Sequence, residues 1–252
     1  MIKVKKNWPR GFFDKVFYEP SSVCARKRAG LEAEFFARAL GLKRGMSVLD
    51  VACGQGRHSV LLAGKGLAVT GVDVTRAYLD DARAYAKREG VNARFVRTDM
   101  RKLAYSGEFD GALCAFTSFG YFDRKTNFDV LKRIFRALKP GGRFVIDVIS
   151  REYLERYMEP RDWFEMPEGG FLLEEHEFDA RAGRVRTRMV RILENGRIMD
   201  RAFGHIVYGA EELKALLLKA GFEPLKSWKS FTPDAPVKNR AIVLVRRPDK
   251  SV

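Results

Sequence analysis

The sequence predicts an α/β fold: a seven-stranded, mostly parallel sheet whose last strand runs antiparallel, with an antiparallel β cap inserted ahead of the closing strands. Three observations lead there. Short apolar runs alternate with helix-period segments from Met46 to Ile149, as parallel strands joined by crossover helices do. From Arg151 to Ile206 the period changes to strict alternation, the pattern of antiparallel hairpins. Two last apolar runs, Phe222 to Trp228 and Arg240 to Val245, have no helix between them, so the second must be antiparallel to its neighbour. The chain divides into an N-terminal helical segment (1–40), a main domain (41–150 with 207–252) and the cap (151–206).

At 252 residues, with 46% hydrophobic and 31% charged, the chain has room for one such domain and an insertion. A net charge of +15 can attract nucleic acid or acidic ligands, yet the Lys and Arg form no long block, so solvated faces are the expected reading. Three widely spaced cysteines without a CxxC pair argue against a disulfide framework or a zinc site. No apolar run is long enough to span a bilayer, and MIKVKKNWPR lacks the apolar core of a signal peptide, so a cytoplasmic location is expected. One Gln among many Lys, Arg and Glu fits a thermophilic source.

In chain order, Trp8, Phe12, Phe13, Val16 and Phe17 recur at helical spacing with basic residues between them, an amphipathic segment expected to pack on the domain. A helix over Ser22 to Leu40 should bury Leu31, Phe35 and Leu40 and stop at Gly41. The organising stretch is Met46 to Ala63: strand Val48 to Val51, turn Ala52 to Gly56, then a helix. Gly54 and Gly56 can take positive φ and admit a ligand to main-chain N–H groups, while the open helix N-terminus can hold a carboxylate or phosphate. Asp50, at the strand end, aims a negative charge at the same crevice. That pairing suits a ligand carrying both an ammonium and a carboxylate.

Strand Ala68 to Val72 ends at Asp73, which can accept both hydroxyls of a ribose or cap the next helix at Thr75. Strand Ala93 to Val96 leads to Asp99 and Met100, so three successive strand tips carry Asp50, Asp73 and Asp99. Phe109 to Phe116 is apolar throughout, as a strand buried on both faces should be, with Cys114 in the core. It runs out through Thr117 to Tyr121. Helix Lys125 to Leu138 is stopped by Lys139 to Gly142 before strand Phe144 to Ile149. In the cap, Glu174, Glu175 and Glu177 face Arg184, Arg186 and Arg188 around Asp179 to Gly183, as a salt-paired hairpin or an anion-binding strip. Ile192 to Val207, broken at Asn195 and Gly196, repeats the hairpin, and helix Ala210 to Ala220 turns Leu213, Leu216 and Leu217 inward.

The stretch MSVLDVACGQGRHSVLLA, with Asp73, Asp99 and LKPGG at their spacings, resembles the class I S-adenosylmethionine-dependent methyltransferases, and most the small-molecule N-methyltransferases acting on glycine or amino sugars. The likeness covers Met46 to Ile149 well and Gly209 to Arg247 by pattern. It implies a Rossmann-like sheet that binds S-adenosylmethionine, with S-adenosylhomocysteine as product and no metal. The donor-binding positions it implies are Asp50, Ala52, Cys53, Gly54, Gly56, Asp73, Val74, Asp99, Met100 and Ala115, with Asp73 on the ribose, Val74 against the adenine and Asp99 on its amino group. It also implies that residues 1–40 form a lid whose Tyr18 reaches the methyl donor, and that the cap covers a small-molecule acceptor.

Ala52 departs from the family's first glycine and fits if φ there is negative. AFTSFGYF lacks the Asn/Asp-Pro-Pro-aromatic run of nucleic-acid amino-methyltransferases and is closer to the serine-containing turn of amino-sugar enzymes. His205, beside the cap's end, is the candidate base with Tyr18, while His58 should face the donor or solvent. The reading is transfer of a methyl group to a small-molecule amine by a monomer, or a homodimer through the cap. An RNA methyltransferase using the basic surface, and an NAD-binding dehydrogenase or non-catalytic nucleotide-binding protein, are the alternatives, although Ser59 stands where a dinucleotide fingerprint has its third glycine.

Overall fold

The computed structural model describes residues 1–5, 12–13, 23–166 and 169–249, with the side chains of 23–27 left aside. The main sheet has seven strands: β1 (Ser47–Val51), β2 (Ala68–Asp73), β3 (Ala93–Arg97), β4 (Phe109–Cys114), β5 (Leu138–Ile149), β10 (Glu223–Trp228) and β11 (Arg240–Arg246). Their order is β10-β11-β5-β4-β1-β2-β3, with β1 to β5 parallel and β11 antiparallel to both its neighbours. The expected seven strands and reversed last strand are present.

Period-2 alternation divides even the wholly apolar strands between two cores. Leu49, Val51, Ala112, Phe144 and Ile146 face one side, where α4 (Arg124–Ala137) adds Val130, Leu131 and Ile134 and α6 (Ala210–Lys219) adds Leu213 and Leu217. Val48, Leu113, Val145 and Ile242 face the other, beneath α1 (Val23–Leu40) and α2 (Arg57–Gly64). A third cluster seats α3 (Arg76–Arg88) on Phe95 through Leu79, Ala82 and Ala86.

Helix α1 supplies Phe35, Phe36 and Leu40 to the second core, as a layer of the domain. Leu31, expected inside, is 59% exposed; the inward stripe runs instead through Ala29, Glu32, Ala33 and Phe36. The helix ends at Gly41, whose φ of +66° lets Leu42 N–H fold back to Ala37 O. LKPGG lies inside β5, not ahead of it. Between Phe109 and Gly111 of β4, which pair with Leu138 and Arg143, the register shifts, so these residues form a bulge.

The cap is a four-stranded antiparallel sheet, β6 (Arg161–Glu165), β7 (Phe171–Asp179), β8 (Arg184–Ile192) and β9 (Ile198–Ile206), preceded by α5 (Arg151–Tyr157). The two expected hairpins are β7–β8 and β8–β9. Strand β6 and α5 are additional to them. Its two ends leave the main domain side by side, where Ser150 bridges Tyr208. In the arginine ladder, Glu175 pairs across from Arg188, which also binds Asp200 through an oxygen 2.6 Å away. No helix among the described residues is long and apolar enough to cross a membrane.

Candidate active site

Parallel strands bring the carboxyl ends of β1 to β4 to one edge of the sheet, and the order reverses between β1 and β4, where open α/β sheets hold ligands. The turn after β1 is left-handed at three positions: Ala52 (φ +59°), Gly54 (+55°) and Gly56 (+75°). The expectation of a negative φ at Ala52 is overturned. The chain reverses so tightly from β1 into α2 that alanine sits in a conformation costing about 1–2 kcal/mol.

The two glycines do different work. A Cβ on Gly54 would meet nothing within 4 Å, so its backbone borders open space, whereas one on Gly56 would strike Ala82 Cβ at 2.8 Å. Gly56 thus serves the packing of α3. Cys53 points inward, its Sγ 2.8 Å from where a Gly71 Cβ would stand, and its N–H donates to Val72 O at 3.0 Å. Helix α2 begins at Gly56 without a side-chain cap, so its first turn retains anion-binding capacity.

Asp50 is 2% exposed and lies beneath this turn, accepting a hydrogen bond from the Ser59 hydroxyl at 2.6 Å. Its reach into the crevice is therefore electrostatic rather than by contact. Burial pushes its carboxyl above the usual range. Asp73 is at the surface of the crevice and accepts from Gly54 N–H at 3.0 Å and Thr75 N–H at 2.8 Å, so capping and the glycine turn share it. Burial raises its carboxyl too, against the lowering effect of those N–H groups. Thr98 N–H on Asp73 O, 2.9 Å, ties the β2 tip to the start of the Asp99 turn. Asp99 accepts from Arg101 N–H and from Nε and Nη2 along one edge of its guanidinium, with the shortest contact at 2.6 Å. Val74 and Met100 are half-buried beside these two acids.

At the β4 tip, Ala115 is buried and Phe116 and Thr117 are both left-handed (φ +58° and +60°), rare for a β-branched residue. Asp147 holds them there. Its carboxylate accepts from Phe116 N–H at 2.8 Å and its carbonyl from Thr117 N–H at 3.0 Å, while Arg240 grips the same carboxylate at 2.7 and 2.8 Å. The exposed Phe116 ring lies 4.4 Å from the Arg57 guanidinium and 5.8 Å from that of Arg240. Arg57 also reaches Glu32 at 3.0 Å, and His58 Nε2 stands 2.7 Å from the same Glu32 oxygen. His58 is thus buried against Phe36 and paired with Glu32, away from solvent. Burial would raise the Glu32 carboxyl, but the His58 contact and the charges of His58 and Arg57 outweigh it and hold it below the usual range.

Glu32, Asp147 and Arg240 escaped the sequence reading. A carboxylate inside the run FVIDVI, and another on the apolar face of α1, were the signals, because acids are seldom buried without partners. His205 is buried on β9, and Tyr18 lies outside the described residues.

Residues 48–142 match the family described as "Methyltransferase domain". The chain is 34% identical over 108 residues to a putative methyltransferase, YqeM, of Bacillus subtilis, covering 41% of this chain and 42% of that protein. It is 32% identical over 123 residues to a glycine/sarcosine N-methyltransferase of Halorhodospira halochloris, covering 48% and 46%. The chain spans about half the length of the curated relatives it matches. In fold it is similar to a S-adenosylmethionine-dependent methyltransferase from Clostridium acetobutylicum, with TM-score 0.75, 20% identity and coverage of 86% and 91%.

Proposed function

We propose that this chain, which carries a class I S-adenosylmethionine-dependent methyltransferase domain, moves a methyl group from S-adenosylmethionine to an amine nitrogen of a small-molecule acceptor. The observation that carries the reading is the turn after β1: Gly54 borders open space, donates its N–H to Asp73, and stands beside an uncapped helix N-terminus. In this reading the first turn of α2 takes the carboxylate end of the donor, and the main chain of Ala52, Cys53 and Gly54 borders it. Ala115 O and the field of Asp50 take its ammonium. Asp73 takes the ribose hydroxyls, and Val74, Asp99 and Met100 the adenine. A sulfonium donor supplies an electrophilic methyl group, and the displacement is in line, so the residues of the chain contribute chiefly by alignment, which accounts for about 7–11 kcal/mol in well-oriented systems.

Asp99 is gripped by Arg101, so adenine binding requires Arg101 to give way or to share the acid. The amine acceptor rests on the serine-bearing turn after β4 and on the N-methyltransferase among the relatives. The cap's exposed Trp163, Phe171, Leu173 and Ile198 are the surface a homodimer through the cap would use. An RNA acceptor is the second reading, favoured by the charge of +15; it requires binding that weakens steeply with salt.

Calorimetric titration with S-adenosylhomocysteine is the test. Binding to the wild-type chain that falls at least about tenfold in Asp73→Ala is expected, since a charge-assisted hydrogen bond contributes about 1.5–3 kcal/mol. Equal affinity in the variant would sink the assignment.

A further inference from the structure

Strand β9 is held against the turn that leaves β4. Ile206 N–H donates to Gly120 O at 2.8 Å, and a Cβ on Gly120 would meet the Ile206 carbonyl oxygen at 2.2 Å, so only glycine permits the approach. The preceding residue, His205, is 8% exposed, and neither of its ring nitrogens has a hydrogen-bond partner among the described residues. Such a group costs about 1–3 kcal/mol to leave unsatisfied, and native folds seldom keep one without a use. Its ring lies within 10° of parallel to Phe203, at 6.0 Å. Phe203 packs on Phe12 at 4.5 Å, Phe12 on Phe13 at 5.2 Å, and Phe13 on Tyr121 at 5.5 Å. An aromatic wall therefore runs from His205 to the end of the β4 exit turn.

We propose that this wall is the acceptor subsite, and that it takes a planar aromatic amine or heteroaromatic N–H whose nitrogen hydrogen-bonds to His205. The inference rests on the methyl-transfer reading above and deepens it. Ring faces favour a planar partner in stacked or edge contact. An unpaired imidazole nitrogen in an apolar wall is completed by one N–H donor. A zwitterionic aliphatic amine such as glycine would instead bury a carboxylate against apolar ring faces, with only the His205 N–H and the Tyr121 hydroxyl to meet it.

In the reaction, the amine lone pair forms the new N–C bond as the S–C bond breaks, the sulfonium becomes a neutral thioether, and the proton on nitrogen passes to His205 and then to water. Burial, with the charge of Arg184, holds the imidazole at a pKa of about 4, so it is neutral and able to accept at neutral pH. A base that weak is close in strength to the cation of a methylated aromatic amine, so the proton can pass between them. It is poorly matched to an alkylammonium.

The test measures methyl transfer from S-adenosylmethionine to aniline, benzimidazole, glycine and glucosamine by the wild-type chain, His205→Phe, His205→Gln and His205→Gly. Methylation of aniline or benzimidazole in preference to the other two is expected. His205→Phe should lower kcat about 100-fold, the low end for a lost general base, while affinity for S-adenosylhomocysteine stays unchanged. His205→Gln, which keeps an acceptor, should hold KM near the wild-type value and lose kcat alone, and added imidazole should restore part of the rate to His205→Gly. Preference for glycine or glucosamine, unchanged kcat in His205→Phe, or no turnover of either aromatic probe by a chain that binds S-adenosylhomocysteine would each overturn the inference and leave the donor site standing. Failure to bind S-adenosylhomocysteine would remove the donor reading itself.

Discussion

Ser59 donates a hydrogen bond of 2.6 Å to Asp50, and both side chains are buried beneath the glycine turn. Removing the hydroxyl leaves a buried carboxylate short of a donor. Ser59→Ala should therefore lose about 1–3 kcal/mol of stability, read as a lower midpoint in urea. Asp50→Asn should move the other way in the free protein, because it removes a buried charge and keeps an acceptor for Ser59. Burial raises the folded pKa of Asp50, so its favourable contribution is present below the ordinary carboxylate pKa and is lost as pH rises through the raised value. The gain in Asp50→Asn should accordingly appear at neutral pH and vanish in acid, at the expense of donor affinity.

Ala52 occupies a left-handed conformation at the head of the same turn. Glycine there would relieve about 1–2 kcal/mol of strain and surrender about 0.5–1 kcal/mol to the greater freedom of its unfolded chain. Thermal unfolding of Ala52→Gly should stay within about 1 kcal/mol of wild type, with S-adenosylhomocysteine affinity retained. A β-branched side chain has no such escape. Ala52→Val should lose about 1–3 kcal/mol, and a variant as stable as wild type would show that the turn tolerates another conformation.

Asp147 is fully buried and shares two hydrogen bonds with Arg240, whose side chain is 14% exposed. Breaking a buried pair by removing one partner costs about 3–5 kcal/mol, because the remaining charge is stranded. Arg240→Met should show that loss in chemical denaturation. The double variant with Asp147→Asn should recover much of it, and a strictly additive cycle would mean that the pair is not coupled. Donor affinity is expected to fall in Arg240→Met as well, since Asp147 pins the left-handed Phe116 beside Ala115.

His205 titrates at about 4 in the folded chain against 6.5 for the free side chain. A lowered base binds its proton later in the folded state than in the unfolded one. Stability should therefore fall as pH drops from about 6.5 to about 4, by roughly 3 kcal/mol in all at about 1.4 kcal/mol per pH unit. Denaturation midpoints across that window should flatten in His205→Phe relative to wild type, and an equal slope in both would place the pH dependence elsewhere.

Much of the site was legible in the chain because backbone geometry follows from local pattern. The run VLDV and the turn ACGQG announce a strand ending in a reversal, and apolar periods after Gly56, Asp73 and Tyr121 announce the helices that return the chain to the same edge. Asp50, Asp73 and Asp99 could thus be placed on neighbouring tips from spacing alone. What each carboxylate does there was not legible. Asp50 belongs to Ser59, Asp73 to Gly54 and Thr75, and Asp99 to Arg101, each by distances that only packed side chains define.

The sequence by itself determined the succession of the main-sheet strands along the chain and their sense, since periodicity, glycine turns and the missing last crossover depend on near neighbours in the chain. The tertiary structure decided the sign of φ at Ala52, the burial of His58 on Glu32, the Asp147–Arg240 clamp and the lack of a partner for His205 among the described residues. The partners in the two pairs are separated by 26 residues or more. Burial and pairing at such range are set by which surfaces come together, and no local pattern encodes that.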